Sequence, residues 1–183
     1  MKKTTLILAL AATIFAACGK DNEATNTNMD PVFIPGQLNP ASVSMEFRLN
    51  ATDDMLRFLD FTVTYDDGTG EREDTVTSSS WVKTFTSSLP ATFTFKRHIR
   101  VKEGMYDALA AIDTVQFARG YGYVYYIFDS DATPIPSMDY SHYEYATDAG
   151  PGSGVADLCQ RGRLDYTYTF EFDAYGRCTP NIR

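Results

Sequence analysis

Tyrosines at strand spacing are the residues of this chain best suited to holding a ligand. The 183 residues include 12 Tyr and 12 Phe but a single Trp. Tyr121, Tyr123 and Tyr125 recur at every second position, so they share one face of an extended strand with Ile127, while Val124, Tyr126 and Phe128 share the other. One face of an antiparallel sheet commonly meets solvent. A tyrosine row on that face would offer rings that stack on the C–H faces of sugars and hydroxyls that hydrogen-bond to them. The competing role is structural, because tyrosine is a good strand former whose ring covers the sheet it stands on. A second group lies in Asp139-Tyr140-Ser141-His142-Tyr143-Glu144-Tyr145. Aromatics interleaved with polar groups there suit a glycan or a peptide, against the plainer reading of a polar loop pinned by Tyr140, Tyr143 and Tyr145.

Other groups are less specific. Lys96, His98, Arg100 and Lys102 alternate with the apolar residues of one strand and would form a basic outer face, either for an acidic partner or simply as a solvated face that discourages edge-to-edge pairing. Asp129-Ser130-Asp131 and Asp66-Asp67-Gly68 present hard oxygen ligands, but neither has the spacing of a calcium loop, and aspartate is also a common turn residue. The two histidines, His98 and His142, make a Ser/His/Asp triad arithmetically feasible. Ser153, however, lies in Gly-Pro-Gly-Ser-Gly rather than a nucleophile elbow, and neither histidine belongs to a metal motif. No motif implies a cofactor or a metal. A carboxylate pair of the kind glycoside hydrolases use is compatible with the composition, as it is in most β proteins. Trp81 reads as a core anchor between sheets in preference to a ligand platform.

The elements that must position these groups are strands. Val43, Met45, Phe47 and Leu49 alternate with polar residues, as do Leu59, Phe61, Val63 and Tyr65. Asp66-Asp67-Gly68-Thr69-Gly70 supplies a hairpin turn. A weak strand is expected near residues 74–77 and another over 81–86. Leu89-Pro90 punctuates, and residues 92–101 then place Phe93, Phe95, Ile99 and Val101 on one face. Met105, Leu109 and Ile112 mark one helix of about two turns. Residues 115–128 are strand-rich with a bend or bulge at Gly120 and Gly122. Residues 129–160 lose regular patterning and, with Pro134, Pro136, Gly150, Pro151, Gly152 and Gly154, read as a long loop. Residues 163–173 read as one long strand. The expected fold is an all-β antiparallel sandwich, of immunoglobulin-like type, with one short helix; a lipocalin-like barrel is the alternative.

The formal net charge of −8 gives no electrostatic reason to expect nucleic acid as a partner. Of the three cysteines, Cys159 and Cys178 flank the long C-terminal strand. That strand would span about 33 Å, against about 7 Å between the Cα atoms of a disulfide, so the two are expected to stay unpaired.

Lys2-Lys3 precede an apolar run from Leu6 to Ala17, which ends in Phe15-Ala16-Ala17-Cys18. The run of about a dozen residues is shorter than the roughly 20 a spanning helix needs, and it has the charge and small-residue ending of an export signal. These residues resemble those of bacterial lipoproteins over about residues 1–30, with Phe15 where Leu is usual. The resemblance implies cleavage before Cys18 and lipid on Cys18. Lys20-Asp21-Asn22-Glu23 is similar to the surface-export signal of Bacteroidetes-type lipoproteins, and Gly19 stands where an inner-membrane retention signal would have Asp. The resemblance therefore implies a lipid-anchored protein of the outer membrane, exposed at the cell surface. Residues 1–17 are then the signal peptide, 18–40 a polar flexible tether, and 41–183 a single sandwich domain. The functions this permits are non-catalytic binding of a glycan or protein, a carboxylate-dependent hydrolase, or a structural subunit of a surface assembly.

Overall fold

The computed structural model describes residues 38–66 and 70–183. The expected signal peptide, Cys18 and the tether up to residue 37 lie outside the described residues, as do residues 67–69 of the expected hairpin turn.

The strands are β1 (Pro40–Asn50), β2 (Leu59–Asp66), β3 (Glu71–Thr75), β4 (Ser80–Ser88), β5 (Ala91–Val101), β6 (Val115–Asp129), β7 (Tyr140–Gly150), β8 (Tyr166–Phe172) and β9 (Cys178–Ile182). All pairings are antiparallel. One sheet has the order β4-β1-β6-β7 and the other β3-β2-β5-β8-β9. The two face each other as a sandwich, and the barrel alternative does not hold. Short helices carry the chain between sheets: α1 (Asp53–Phe58) from β1 to β2, α2 (Tyr106–Ala110) from β5 to β6, and α3 (Gly152–Gln160) from β7 to β8. The wiring is its own, since β1 and β2 fall in different sheets, whereas an immunoglobulin sandwich keeps its first two strands together.

The alternating segments lay their apolar members inward. Val43, Met45, Phe47, Leu49, Phe61, Val63, Phe95, Ile99 and Phe170 are all buried. Their rings interlock across the gap: Phe47 stacks on Phe95 at 4.2 Å and meets Tyr168 at 5.1 Å and Phe170 at 5.7 Å. Trp81 is the core anchor expected, edge-on to Phe47 at 6.4 Å.

One margin of the sandwich is latched. Asp74 of β3 accepts hydrogen bonds from Tyr65 Oη of its own sheet (3.0 Å) and from Trp81 Nε1 and Lys83 Nζ of the opposite one (both 3.1 Å). Burial pushes the Asp74 carboxyl up, but the bonds from Lys83, Tyr65 and Trp81 outweigh it and hold the group below its ordinary value.

Several expectations need correction. Residues 129–160 are not a loop: they contain β7, a 3-10 turn (Pro136–Met138) and α3. β7 buries none of its residues, so neither face demanded apolar alternation. The C-terminal strand is shorter than residues 163–173, because residues 161–164 form a turn before β8. Cys159 and Cys178, by contrast, are free thiols as expected. The weak strand lies earlier than expected, as β3. Beyond the expected helix, now α2, there are α1 and α3. The start of α1 is signalled by Thr52, whose Oγ1 accepts from Met55 N, ahead of Asp53 and Asp54.

Phe47→Ala should cost about 3–5 kcal/mol in urea unfolding, because the site is sealed by rings from both sheets. Asp74, with its lowered folded value, contributes stability that is full above the ordinary carboxylate range and is lost as pH falls through the folded value. Asp74→Asn should therefore flatten the acid limb of the wild-type stability curve below about pH 4; an unchanged limb in a pH series of urea melts would refute this.

Candidate functional site

All seven tyrosine and histidine candidates fall on β6 and β7, which are hydrogen-bonded neighbours. Register divides them between the two faces. Tyr125 is opposite Tyr140, Tyr123 opposite His142, and Tyr121 opposite Glu144, on the face toward the second sheet. Gly122 is opposite Tyr143 and Gly120 opposite Tyr145, on the outer face.

The tyrosine row of β6 therefore does not meet solvent as a display. Tyr121 packs on Tyr168 at 5.1 Å, Tyr123 on Phe170 at 4.7 Å and Tyr125 on Phe172 at 5.0 Å, all between the sheets. Burial pushes the phenol of Tyr123 well up, and that of Tyr125 to about 12. Tyr123 is core, and Tyr121 and Tyr125 are half-buried against it, the structural role the sequence left open. The inner face of β7 beside them is half open. Tyr140 is exposed, and His142 packs against Tyr121 and Tyr123, each at 5.4 Å. His142 Nε2 is sealed from solvent without a hydrogen-bond partner, at 3.9 Å from Glu144.

The exposed aromatic pair is Tyr143 and Tyr145, with ring centroids 5.8 Å apart. Both lie over Gly122, where an added Cβ would come within 2.4 Å of Tyr145 Oη and 2.6 Å of Tyr143 Cδ1. Gly120 has φ +99°, and a Cβ there would overlap the Glu144 carbonyl at 1.7 Å. The glycines thus bring β7 close and leave room for the tyrosine rings to lie across β6. Across β6 stands Arg48 of β1, ion-paired with Glu46. The Glu46 hydrogen bond holds the Arg48 guanidinium above its ordinary value. Beyond Tyr145 opens a hollow of about 400 Å³ lined by Asn50, Thr52, Ser80, Arg119 and Thr147 among others. Two rings beside paired charges and a polar hollow can stack on a saccharide and hydrogen-bond its hydroxyls. Sequence reasoning missed Asn50, Thr52, Ser80 and Arg119, because they come together from three separate segments with no shared pattern.

The remaining candidates have structural partners. Lys96 pairs with Glu71 at 3.2 Å, Arg100 with Asp165 at 2.8 Å and His98 with Asp165 at 3.6 Å, while Lys102 Nζ donates to Leu56 O. The basic stripe is therefore matched within the molecule. Asp129 Oδ1 accepts from the backbone of Asp131 and Thr133, a turn role. Of the other expected acidic cluster, Asp67 and Gly68 lie outside the described residues. Neither His98 nor His142 is hydrogen-bonded to a serine among the described residues, and Ser153 sits in α3. A second hollow, of about 270 Å³, lies by Arg100, Tyr106 and Cys159. Burial pushes the Cys159 thiol up to about 11 and that of Cys178 to about 12.

No family model matches the chain, and neither the curated proteins nor the solved structures include a significant match.

Tyr143→Ala and Tyr145→Ala should each change unfolding stability by no more than about 0.5 kcal/mol, as exposed surface residues do, whereas Tyr123→Ala should cost about 3 kcal/mol. Chemical denaturation of the three variants separates outer face from core. Both thiols, raised by burial, should resist a disulfide reagent at pH 8 in the folded Cys18→Ala protein and react promptly once it is unfolded.

Proposed function

We propose that this chain is a lipid-anchored protein of the outer membrane, held at Cys18, whose sandwich serves as a non-catalytic binding module. Its ligand-binding surface is the outer face of β6 and β7, and the ligand class that surface fits is a glycan. The observation that carries this reading is Tyr143 and Tyr145 lying exposed over Gly122, beside the Arg48–Glu46 pair and a polar hollow. The balanced charges favour a ligand bound by stacking and hydroxyl hydrogen bonds over one captured by net charge. A carboxylate hydrolase would hold two acidic groups across a cleft. Neither hollow described above is lined by an aspartate or a glutamate, which favours binding over hydrolysis.

A second reading, a structural subunit, is favoured by β7 itself. It is an 11-residue edge strand with no proline, lysine or arginine, whereas β3 and β9 have five residues each and β9 contains Pro180. An edge without such guards can accept an added strand.

In cells, wild type should fractionate with the outer membrane and be shaved by external protease, while Cys18→Ala should become soluble. If the variant fractionates as wild type does, the anchor assignment fails. Purified protein titrated against a panel of neutral oligosaccharides should show saturable binding that weakens at least tenfold in Tyr143→Ala/Tyr145→Ala. Equal affinity in the double variant would remove the outer face from consideration, and self-association abolished by a proline at Ser141 would instead support strand addition.

A further inference from the structure

The smaller hollow, of about 270 Å³, lies where the end of β5 meets α2 and α3. Its walls are Arg100, Val101 and Lys102, Tyr106 of α2, and Cys159 and Gln160 of α3. Two of the six carry positive charge and none is acidic. The walls are accessible from solvent: 54% of the Arg100 side chain and 42% of Tyr106 are exposed.

The two cations differ in how they are matched. Arg100 is neutralised by Asp165, whose two oxygens meet Nη1 and Nη2, each at 2.8 Å, and Nη1 also donates to the Ile99 carbonyl. This occupies the end of the guanidinium. The side edge, formed by Nε–H and the second N–H of Nη2, has no acceptor among the described residues. Lys102 is matched only by a neutral group. Its ammonium donates to the Leu56 carbonyl at 2.6 Å and forms no ion pair among the described residues. An ammonium carries three donors, so two remain. Cys159 adds no charge, since burial pushes its thiol up to about 11. Glu103 and Asp107 stand close in sequence, but both are exposed and neither lines the hollow. The walls therefore carry one uncompensated positive charge.

Charge, geometry and size together select a ligand. A single positive charge matches a carboxylate better than a phosphate group of about −1.5 to −2 at pH 7. The flat side edge of Arg100 also suits a carboxylate, which it can meet with two parallel hydrogen bonds. The volume falls just below the roughly 300–1,000 Å³ of sites for drug-sized molecules, which leaves room for one ring. Tyr106 supplies an exposed aromatic ring to stack on, and the Gln160 amide can both donate to and accept from hydroxyls.

We propose that this hollow binds one acidic pyranose, a uronic sugar, with its carboxylate between Lys102 and the side edge of Arg100 and its ring against Tyr106. The inference does not depend on what the outer tyrosine face binds.

The full chain carrying Cys18→Ala, isotope-labelled, is titrated with glucuronate, glucose, acetate and inorganic phosphate at constant ionic strength. The backbone amide resonances of Lys102, Tyr106 and Gln160 are followed, with those of Tyr143 and Tyr145 as the comparison. Glucuronate should shift the first three saturably. Glucose keeps the ring and acetate the carboxylate, so each should bind there about tenfold more weakly. Lys102→Gln should weaken glucuronate about tenfold by removing the unmatched charge, and Tyr106→Ala about fivefold by removing the stacking ring. The site is refuted if glucuronate leaves the three resonances unmoved or moves only Tyr143 and Tyr145. It is equally refuted if glucose, acetate or phosphate binds there as tightly as glucuronate, or if both variants bind as wild type does. Tyr106 is exposed, so Tyr106→Ala and the wild-type titrations decide the matter should Lys102→Gln fail to fold.

Discussion

Phe47 stacks on Phe95 at 4.2 Å and so joins an interior strand of one sheet to the central strand of the other. Around this contact, rings from β1, β5, β6 and β8 interlock. Leucine or valine would fill the same gap with less directional contact, whereas aromatic edges and faces fix the relative position of two sheets. Once Phe47 and Phe95 set the height of β1 above β5, the fall of Tyr121, Tyr123 and Tyr125 onto Tyr168, Phe170 and Phe172 follows from strand spacing alone. The alternation that builds this seam also decides which side of β7 faces outward. The exposed tyrosine pair is therefore a geometric consequence of the core.

The two margins of the sandwich are built differently. At the β3–β4 margin, Asp74 gathers one donor from its own sheet and two from the other, and Lys83 lies 4.7 Å over the ring of Tyr65. At the β7–β9 margin no hydrogen bond, ion pair or ring contact crosses between the two strands among the described residues. There the inward-facing Tyr140 and Ile182 stay substantially exposed. A sandwich latched on one side and open on the other concentrates its available inner surface at the open side. That is where the half-exposed aromatics and His142 gather.

What could be read in advance follows the same logic. Strands with one buried face announced themselves by alternation: β1, β2, β5 and β8 were legible because their inward positions had to be apolar. β7 was not, because both of its faces are exposed and nothing constrains its period. α3 was hidden behind Gly-Pro-Gly-Ser-Gly, although Gly152 is required there: a Cβ would come within 1.8 Å of the Leu109 carbonyl. The orientation of the β6 tyrosines was undecidable, since both phases of that strand are aromatic. Arg97, a buried charge in phase with Phe93, Phe95 and Ile99, was legible in principle. The hollow beside Tyr145 was not, because its walls meet only through the fold.

β7 contributes none of the buried core, and its residues are each exposed or half-buried. Tyr140 and His142 pack on the inward tyrosines of β6, but core packing does not explain Tyr143 and Tyr145 on the outer face. A solvated edge strand is satisfied by threonine, serine or lysine, which hydrate well and discourage pairing with other chains. Large rings on such a strand leave apolar surface in water at about 25 cal/mol for each Å². Tyr143 and Tyr145 cover little side chain, because β6 presents Gly122 and Gly120 opposite them. Small residues below leave room for the two large rings to lie across β6 with one side toward solvent. Packing between the sheets accounts for Tyr121, Tyr123 and Tyr125; it does not account for Tyr143 and Tyr145, the pair on which the proposed binding role rests.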